Sequence, residues 1–203
     1  METFLASNLI RPALYQQPLE NGAVKCLLCP HQCVLYEEKT GLCHTRQNRN
    51  GVLYTLAYGN PCSLNVDPIE KKPLFHFLPG SKILSLATAG CNFKCLNCQN
   101  WEISQSSPQK LRAYDLPPEA VMELAGENNI PSIAFTYTEP TVFYEYVFDT
   151  AKLAHEKNIK TVIVSNGYIN EKPLQDLCPF LNAANIDLKC FDTHLYRKLT
   201  GGS

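Results

Sequence analysis

The sequence lacks any apolar stretch close to the ~20 residues that a membrane-spanning helix needs, and its mean hydropathy is −0.18. It also lacks an excess of charge, since 18 Lys and Arg residues stand against 19 Asp and Glu residues. A protein that binds nucleic acid regardless of sequence presents a basic field, so that class is disfavoured. Residues 1–20 contain no basic segment followed by a long apolar block, so no secretory signal is predicted. We therefore expect a cytoplasmic protein that binds neither membrane nor nucleic acid.

Cysteine, by contrast, is abundant, with ten residues in a chain of 203. The first cluster is Cys26, Cys29, Cys33 and Cys43, the second is Cys91, Cys95 and Cys98, and the isolated residues are Cys62, Cys178 and Cys190. A secreted disulfide-bonded protein is usually shorter and carries a signal, so the clusters indicate thiolates bound to metal in a reducing compartment. The isolated cysteines are predicted to lie in the core.

The character of the sequence changes near residue 80, which predicts two domains. Residues 1–80 form a Cys-rich, partly β N-terminal region, whereas residues 81–203 alternate strands with helices. The predicted strands cover residues 82–88, 132–137, 160–165 and 184–189, and the predicted helices cover residues 117–128, 140–158 and 171–182. Near-continuous apolar strands are typical of a parallel sheet covered on both faces, so we predict an α/β fold built from right-handed βαβ units.

Each predicted strand is followed by polar or metal-binding residues. They are Cys91, Cys95 and Cys98 after the first strand, Thr138 and Glu139 after the second, Ser165, Asn166 and Gly167 after the third, and Asp187 and Lys189 at the end of the fourth. Because the functional groups of parallel α/β sheets collect at the carboxyl ends of the strands, we expect these side chains at one edge of the sheet.

The second cysteine cluster has the spacing C-x3-C-x2-C. Three thiolates on one loop can ligate three irons of a cubane cluster, while a complete cluster normally has four cysteines. A metal site with an open position is catalytic in character, because a substrate can bind there. The alternatives are a zinc site with three thiolates and a loop of unpaired thiols.

Several blocks of the sequence resemble one enzyme family. The blocks are CLLCPHQC, VDPIEKKPLFHFLPGS, ATAGCNFKCLNCQNWEISQ, YTEPTVFYEY, VSNGY and NIDLKCF, spread over residues 26–200. The chain resembles radical S-adenosylmethionine (SAM) enzymes and, more narrowly, the radical SAM enzymes of the AmmeMemoRadiSam system, which are similar to pyruvate-formate-lyase-activating enzymes. That family has a core of six βα units. The resemblance therefore implies a partial (β/α) barrel of about four units, C-terminally truncated, which binds its cluster but turns over poorly.

The resemblance implies a [4Fe–4S] cluster ligated by Cys91, Cys95 and Cys98, with SAM bound to the fourth iron through its amino and carboxylate groups. One electron from the cluster would break the sulfonium C–S bond, and the 5′-deoxyadenosyl radical would abstract hydrogen from a substrate. The implied oxidoreductase activity is like that of glycyl-radical-enzyme activases, with a flavodoxin or ferredoxin type electron donor and a protein or small-molecule substrate. The alternative is an Fe–S or zinc-binding fragment for electron transfer or interaction, without radical chemistry.

The resemblance further implies SAM-binding roles by position. Glu139 is expected to accept a hydrogen bond from the ammonium group, Ser165 and Asn166 to contact the carboxylate or ribose, Asp187 to bind ribose hydroxyls, and Lys189 to bind the carboxylate. The alternatives are that Glu139 only interacts with a helix N-terminus and that Asp187 and Lys189 pair with each other.

The sequence departs from the family pattern at Asn97, where an aromatic residue usually lies near adenine. Phe93 or Trp101 would have to supply that contact. Trp101 and Tyr137 are otherwise predicted to pack at the edge of the site. The segment 69–77, IEKKPLFHF, is interpreted either as a solvated turn that leads into an apolar run or as a substrate contact.

The first cysteine cluster has the spacing C-x2-C-x3-C-x9-C. Four thiolates make a closed site, either tetrahedral zinc or a coordinatively complete Fe–S cluster, and the spacing does not choose between them. Such a site would stabilise a region without an obvious core or would relay electrons. Four reduced cysteines are the alternative, and His31 or His44 could replace a ligand.

Overall fold

The computed structural model describes residues 10–202. Residues 1–9 and residue 203 lie outside the described residues, and so does the first part of the segment in which no secretory signal was predicted. The strands are β1 (Arg11–Pro12), β2 (Gln16–Pro18), β3 (Val24–Cys26), β4 (Val34–Leu35), β5 (Arg46–Arg49), β6 (Val52–Thr55), β7 (Ser63–Pro68), β8 (Lys82–Ala87), β9 (Ser132–Phe135), β10 (Lys160–Ser165) and β11 (Ala183–Ile186). The helices are α1 (Trp101–Ser104), α2 (Pro118–Glu127), α3 (Tyr144–Glu156), α4 (Glu171–Leu177) and α5 (Thr193–Thr200). No helix within residues 10–202 has the length and apolar character that crossing a bilayer requires.

The central feature is a five-stranded sheet with the strand order β11-β10-β9-β8-β7. β8, β9, β10 and β11 run parallel, and β7 pairs antiparallel with β8. Each parallel strand is followed by a helix, so the predicted α/β fold, a partial (β/α) barrel of four units, is confirmed. Ile83, Leu84 and Leu86 of β8 are fully buried on both faces of the sheet, which is the physical reason for the near-continuous apolar runs.

β7 comes from the N-terminal side of the predicted domain boundary at residue 80. It pairs with β8 over six residues, from Ser63 opposite Ala87 to Pro68 opposite Lys82. A proline at the end of an edge strand costs no ladder hydrogen bond, which suits Pro68 to this position. The division into residues 1–80 and 81–203 stays a prediction, and this strand joins the two parts through the sheet.

The helix after β9 begins later than the sequence predicted. The prediction placed one helix over residues 140–158, whereas Pro140–Phe143 form a 3-10 turn and α3 begins at Tyr144. Glu139 caps the turn, since its side chain accepts a hydrogen bond from Thr141 N. Glu139 therefore does lie at a helix N-terminus, as the alternative proposed, and its side chain also faces a cavity at the edge of the sheet.

Two three-stranded sheets, β2-β3-β4 and β1-β6-β5, make up the N-terminal region. A buried ion pair attaches them to α3, because Arg46 Nη2 donates to Glu145 Oε1. Leu14 N donates to the same carboxylate oxygen at 2.7 Å. Removal of either charge would leave the other buried without compensation, so the pair ties the position of the N-terminal region to that of α3.

Candidate functional site

A cavity of about 400 Å³ lies at the carboxyl ends of the parallel strands. Its lining includes all eight side chains predicted as cluster ligands or SAM contacts at this edge of the sheet, namely Cys91, Cys95, Cys98, Glu139, Ser165, Asn166, Asp187 and Lys189. The carboxyl ends of neighbouring parallel strands share one edge, which is why residues far apart in sequence meet here. The ligand that each of them binds stays a prediction.

The three thiols lie on the loop after β8, residues 88–98, which we call the cysteine loop. Phe93 N donates to Cys91 Sγ at 3.3 Å, and Cys98 Sγ lies 3.2 Å from a serine hydroxyl of α1. Burial raises the pKa of the Cys91 thiol, and the Glu139 carboxylate raises it further. A metal-bound cysteine is a thiolate, so ligation here would release a proton that burial otherwise retains.

Glu139 is almost fully buried, and its carboxylate is held by protein donors. Oε1 accepts hydrogen bonds from Thr141 N at 3.0 Å, Thr141 Oγ1 at 2.7 Å and Ser165 Oγ at 2.8 Å. Oε2 accepts from Asn166 N at 2.8 Å. Burial raises the pKa of this carboxyl group, while the hydrogen bonds act in the opposite direction. A cation bound in the cavity would favour the charged form, so Glu139 is suited to a cationic ligand group.

Two asparagines connect the cysteine loop to the end of β10. Asn166 Nδ2 donates to Asn92 Oδ1 at 2.8 Å, and Asn92 Nδ2 donates to Tyr168 O at 2.8 Å. Ser165 Oγ accepts from Gly167 N at 2.9 Å. These bonds position the predicted SAM-binding residues Ser165 and Asn166 relative to the thiols, so the two cavity walls form one connected network.

Asp187 and Lys189 form an ion pair at the end of β11. Lys189 Nζ lies 2.7 Å from Asp187 Oδ2, and Asn185 Nδ2 donates to Asp187 Oδ1 at 2.8 Å. Burial acts to lower the pKa of Lys189, but the Asp187 carboxylate and the thiols of the cysteine loop outweigh it and raise the pKa. The pairing matches the alternative in which these residues neutralise each other, and both side chains also line the cavity.

Asp67 of β7, which the sequence alone did not single out, holds three residues of the cavity wall. Asp67 of β7 accepts hydrogen bonds from Lys71 Nζ at 2.8 Å, from Lys72 Nζ at 2.5 Å and from the Tyr137 hydroxyl. Lys71, Lys72 and Tyr137 line the cavity. The interpretation of segment 69–77 as a solvated turn is wrong for Lys72, which is 1% exposed. The signal that could have predicted the contact is an aspartate followed four and five residues later by lysines.

Tyr137 has a left-handed backbone conformation, with φ of 63°, which is unusual for a bulky residue. Its carbonyl accepts a hydrogen bond from Asn100 Nδ2 at 2.8 Å, and its ring centroid lies 4.8 Å from Lys72 Nζ. A strained backbone conformation of this kind persists where surrounding contacts fix it, and the contacts of Tyr137 with Asn100 and Lys72 have this effect. Trp101 was predicted to pack at the edge of the site, but it is 62% exposed because α1 is a single turn at the surface.

The variant Asp67→Asn is expected to lower the free energy of unfolding by about 3 kcal/mol, because the buried Lys72 ammonium loses its counter-charge. Burial acts to raise the pKa of Asp67, but hydrogen bonds from Lys71, Lys72 and Tyr137 hold it well below its usual range. A lowered carboxyl pKa stabilises the fold above the unfolded-state pKa of about 4, and this stability is lost as pH falls towards the folded-state pKa.

Urea unfolding at pH 7 and at about pH 3 measures this effect, and the advantage of the wild type over Asp67→Asn should shrink at the lower pH. Asp115→Asn, at an exposed position, serves as the control and should change the free energy of unfolding by less than about 0.5 kcal/mol. An undiminished difference between wild type and Asp67→Asn in acid would contradict the prediction.

A second cavity is lined by the four cysteines of the first cluster, which we call the N-terminal thiol site: Cys26, Cys29, Cys33 and Cys43. Burial raises the pKa of Cys29 to about 12 and also raises the pKa of Cys43. His31, one of the two histidines considered as replacement ligands, lines this cavity. Its Nε2 is hydrogen-bonded to Asn92 O at 2.8 Å, so that nitrogen already has a partner. The four thiols remain the natural donor set.

The N-terminal thiol site is in contact with the cysteine loop. Gly90, which directly precedes Cys91, has φ of 98°. A Cβ at this position would lie 2.4 Å from Cys43 O and 2.4 Å from Thr45 Cγ2. Both the backbone angle and the close approach therefore require glycine. Together with the hydrogen bond between His31 and the cysteine loop, this contact holds the two sets of thiols next to each other.

The variant Gly90→Ala is expected to lower the free energy of unfolding by about 2 kcal/mol or more, since it combines backbone strain with a steric clash. Gly126→Ala is the matched control, because Gly126 lies in α2 with no atom within 4 Å of an added Cβ, and it should be neutral or stabilising by up to about 1 kcal/mol. Thermal unfolding of both variants measures the difference. Equal melting temperatures for the two would show that the contact at Gly90 is not tight.

The isolated cysteines only partly follow the prediction of a core location. Cys62 and Cys190 are partly buried, but Cys178 is exposed, because it begins a 3-10 turn at the surface after α4. Within residues 10–202, no group of three or more Cys, His, Asp or Glu side chains is placed to hold a single metal ion. Cysteines that ligate a cubane cluster bind separate irons, so they need not converge on one point.

Comparison with known proteins identifies the class of this chain. Residues 85–203, more than half of the chain, match the Radical SAM superfamily. The chain therefore belongs to the radical SAM superfamily. It is 47% identical over 180 residues to the uncharacterized protein MJ0808 of Methanocaldococcus jannaschii, a match that covers 89% of this chain and 54% of that protein. The chain thus spans about half the length of this curated relative.

A solved structure, that of TYW1 with a lysine-pyruvate adduct bound, is 22% identical in sequence. The match covers 66% of this chain and 50% of the TYW1 chain, with a TM-score of 0.43.

Radical SAM proteins in general use a [4Fe–4S] cluster and SAM, and the donor set of the cavity fits both groups. Three thiols on one loop can ligate three irons and leave the fourth iron for SAM. Glu139 offers a buried carboxylate to an ammonium group, and Lys189 offers an ammonium group to a carboxylate.

Proposed function

We propose that this chain is the catalytic part of a radical SAM oxidoreductase that cleaves SAM reductively and abstracts hydrogen from a substrate. The observation that carries the proposal is the single cavity in which three thiols, a buried carboxylate and an ion pair meet, in a chain of the radical SAM superfamily. When bound, the [4Fe–4S] cluster supplies one electron that splits the sulfonium C–S bond of SAM into methionine and the 5′-deoxyadenosyl radical.

In this proposal Cys91, Cys95 and Cys98 ligate the cluster and leave one iron without a protein sulfur. Support comes from the cysteine loop, whose backbone is hydrogen-bonded to the C-terminal end of α5. Lys94 N donates to Thr200 O at 2.7 Å, and Leu96 N donates to Leu199 O at 2.9 Å. These bonds keep the loop in one conformation, so the thiols are preorganised for ligation.

The remaining cavity residues would bind SAM. Glu139 Oε2 is proposed to accept a hydrogen bond from the amino group, and Lys189 to bind the carboxylate. Asp187 is proposed to bind ribose hydroxyls, and Ser165 and Asn166 to contact the carboxylate or ribose. The hydrogen bonds of these residues support the roles, because Ser165 Oγ and Asn166 N both donate to the Glu139 carboxylate, and Asn166 Nδ2 donates to Asn92 of the cysteine loop.

The adenine contact is proposed for Phe93 rather than Trp101. Phe93 and Asn97 both line the cavity, whereas Trp101 is exposed. The Phe93 ring packs on Tyr168 and Tyr196, with centroids 5.0 and 5.9 Å apart, so its orientation is defined. The Phe93 side chain is 1% exposed, so it would meet the base only where it lines the cavity, and this contact is proposed to replace that of the aromatic residue absent at Asn97.

The finer assignment is an activity like that of glycyl-radical-enzyme activases, close to the AmmeMemoRadiSam group, supported by the sequence blocks around the cysteine loop and the segment 66–81. The substrate would be a protein or a small molecule, and the electron donor a flavodoxin or ferredoxin. The N-terminal thiol site would hold a second metal group, either an Fe–S cluster or zinc.

The test is anaerobic reconstitution with iron and sulfide, reduction with dithionite, and quantification of methionine and 5′-deoxyadenosine formed from SAM. We expect both products in equal amounts, together with a change in the electron paramagnetic resonance (EPR) spectrum of the reduced cluster when SAM is added. A cluster that forms but neither responds to SAM nor cleaves it would instead favour the electron-transfer alternative.

A further inference from the structure

The N-terminal thiol site brings four thiols to one cavity, separate from the cavity at the carboxyl edge of the sheet. Cys26 is buried, and the other three cysteines are partly buried. The thiols come from three places in the fold: the end of β3, the turn after it and the loop before β5. Gly41 forms part of the wall, and a Cβ there would lie 3.7 Å from Cys43 Sγ and 3.9 Å from Cys33 Sγ. An all-sulfur donor set of this kind is preferred by Fe–S clusters and by soft metal ions.

The placement of these thiols favours a cluster over a single ion. Tetrahedral zinc holds four sulfurs at ~2.3 Å, which places them about 3.8 Å from one another with no room between them. Here, within residues 10–202, no three ligand side chains, these thiols included, are placed to hold one ion. A cubane cluster suits such an arrangement because each cysteine binds a different iron.

A buried cation lies beside the site. Arg46 is 1% exposed, and its Nη1 lies 3.8 Å from Cys26 Sγ, while its Nη2 pairs with Glu145. Four thiolates give an Fe–S cluster a net negative charge that increases on reduction. Hydrogen bonds to the ligand sulfurs and nearby charge are among the factors that set its reduction potential. The position of Arg46 therefore suits a cluster that takes up an electron.

Two contacts connect this site directly to the cysteine loop. Cys43 O packs against Gly90, which is one peptide bond from Cys91. His31 Nε2 is hydrogen-bonded to Asn92 O, which is one peptide bond from Cys91 on the other side. The two sets of sulfurs are thus linked by a short path that consists of a few covalent bonds and one contact.

We propose that the N-terminal thiol site holds a second [4Fe–4S] cluster that relays the reducing electron to the catalytic cluster. This inference rests on the proposed function. A one-electron donor of the ferredoxin or flavodoxin class is oxidised, and its electron passes through the second cluster to the catalytic cluster. The electron ends in the sulfonium C–S bond of SAM, which breaks into methionine and the 5′-deoxyadenosyl radical. The second cluster returns to its oxidised state, so one donor is oxidised for each SAM cleaved.

The presence of the second cluster is tested on the whole chain after anaerobic reconstitution, by iron and zinc analysis and by EPR with and without SAM. We expect about eight irons per chain without stoichiometric zinc, and two signals of which SAM changes one. The triple variant Cys91→Ala, Cys95→Ala, Cys98→Ala should keep about four irons and a signal that SAM does not change. Cys178→Ala, at an exposed isolated cysteine, should match the wild type.

About four irons in the wild type, with or without one zinc, would overturn the second cluster while leaving the proposed function intact if the remaining signal responds to SAM. Two clusters that both ignore SAM would instead overturn the proposed function, and the relay with it. The two failures are therefore distinguishable in a single set of samples.

The relay itself is tested with the variant Cys29→Ala, Cys33→Ala. SAM cleavage driven by reduced flavodoxin should fall by about tenfold or more, whereas cleavage driven by dithionite, a small reductant that reaches the catalytic cluster directly, should change by less than about twofold. A fall of equal size with both reductants would overturn the relay.

Should this variant fail to fold, rapid-freeze EPR of the wild type mixed with reduced flavodoxin decides the question. The signal that SAM does not change should rise before the signal that it does change. The opposite order would overturn the relay.

Discussion

Substituting Cys91→Ala, Cys95→Ala and Cys98→Ala together is expected to abolish 5′-deoxyadenosine formation and to remove about four irons per chain. The reason is that these thiols lie on one loop at the wall of the cavity that also holds Glu139 and the Asp187–Lys189 pair. Without them the fourth iron, to which SAM would bind, has no site. Iron analysis and quantification of 5′-deoxyadenosine in the same samples measure both effects.

Cys178→Ala is the matched control for this substitution, since Cys178 is exposed and lies far along the chain from both cysteine clusters. It should leave iron content and product formation unchanged. Full product formation by the triple variant would refute the ligand assignment, and thermal unfolding shows whether the variant keeps its fold.

Glu139→Gln is expected to weaken SAM binding by about 10- to 100-fold, because a hydrogen bond between charged groups contributes about 1.5–3 kcal/mol. The carboxylate is buried and already positioned by Thr141, Ser165 and Asn166, so it does not need to reorganise when an ammonium group arrives. Equilibrium binding of SAM to the reconstituted protein measures the effect. Glu123→Gln, at an exposed position of α2, should bind SAM like the wild type.

A purely structural role of Glu139 predicts a different pattern. Ser165→Ala removes one donor to the carboxylate but keeps its charge, so it should reduce stability while SAM binding weakens by less than about tenfold. If Glu139→Gln and Ser165→Ala lowered the melting temperature equally and neither weakened SAM binding, Glu139 would serve only to hold the loop.

The two substitutions probe different parts of one arrangement. The cysteine loop is held by α5 from one side and by Asn166 through Asn92 from the other. Glu139 accepts from the backbone of the same Asn166. A substitution in the cysteine loop should therefore shift Glu139, and a substitution at Glu139 should shift the loop. Variants that combine the two should show non-additive effects on SAM binding.

The elements of the sheet could be predicted because their signal is local. Residues 160–165 contain four consecutive β-branched residues, Thr161 to Val164, and β10 covers the whole predicted strand. The predicted helix over residues 117–128 matches α2 to within one residue at each end, since Pro118 can only begin a helix and the apolar positions repeat with helical spacing. The prediction of the helix after β9 was less accurate. Whether the residues after Pro140 form a 3-10 turn or an α-helix depends on the cap that Glu139 provides.

The shared cavity was also predictable, because parallel strands must end at one edge and each strand carries polar residues there. The contribution of β7 was not, since the pairing of Ser63–Pro68 with β8 depends on a partner strand that follows after a long turn. For the same reason the sequence left a solvated turn as one of two interpretations of segment 69–77, which contains Lys72. Lys72 is buried where it contacts Asp67 of β7 and Tyr137 of the loop after β9.

The sequence by itself determined the spacing of the two sets of thiols and the polar ends of the strands, because both depend only on neighbouring residues and on the period of the backbone. Only the tertiary structure decided that the N-terminal thiol site packs against the cysteine loop. That contact joins Cys43 to Gly90 and His31 to Asn92, across 47 and 61 positions. The N-terminal region docks on α3 through one shared apolar cluster, which contains Leu53 together with Tyr144 and Val147, and through the Arg46–Glu145 pair. No local pattern of residues encodes such a docking.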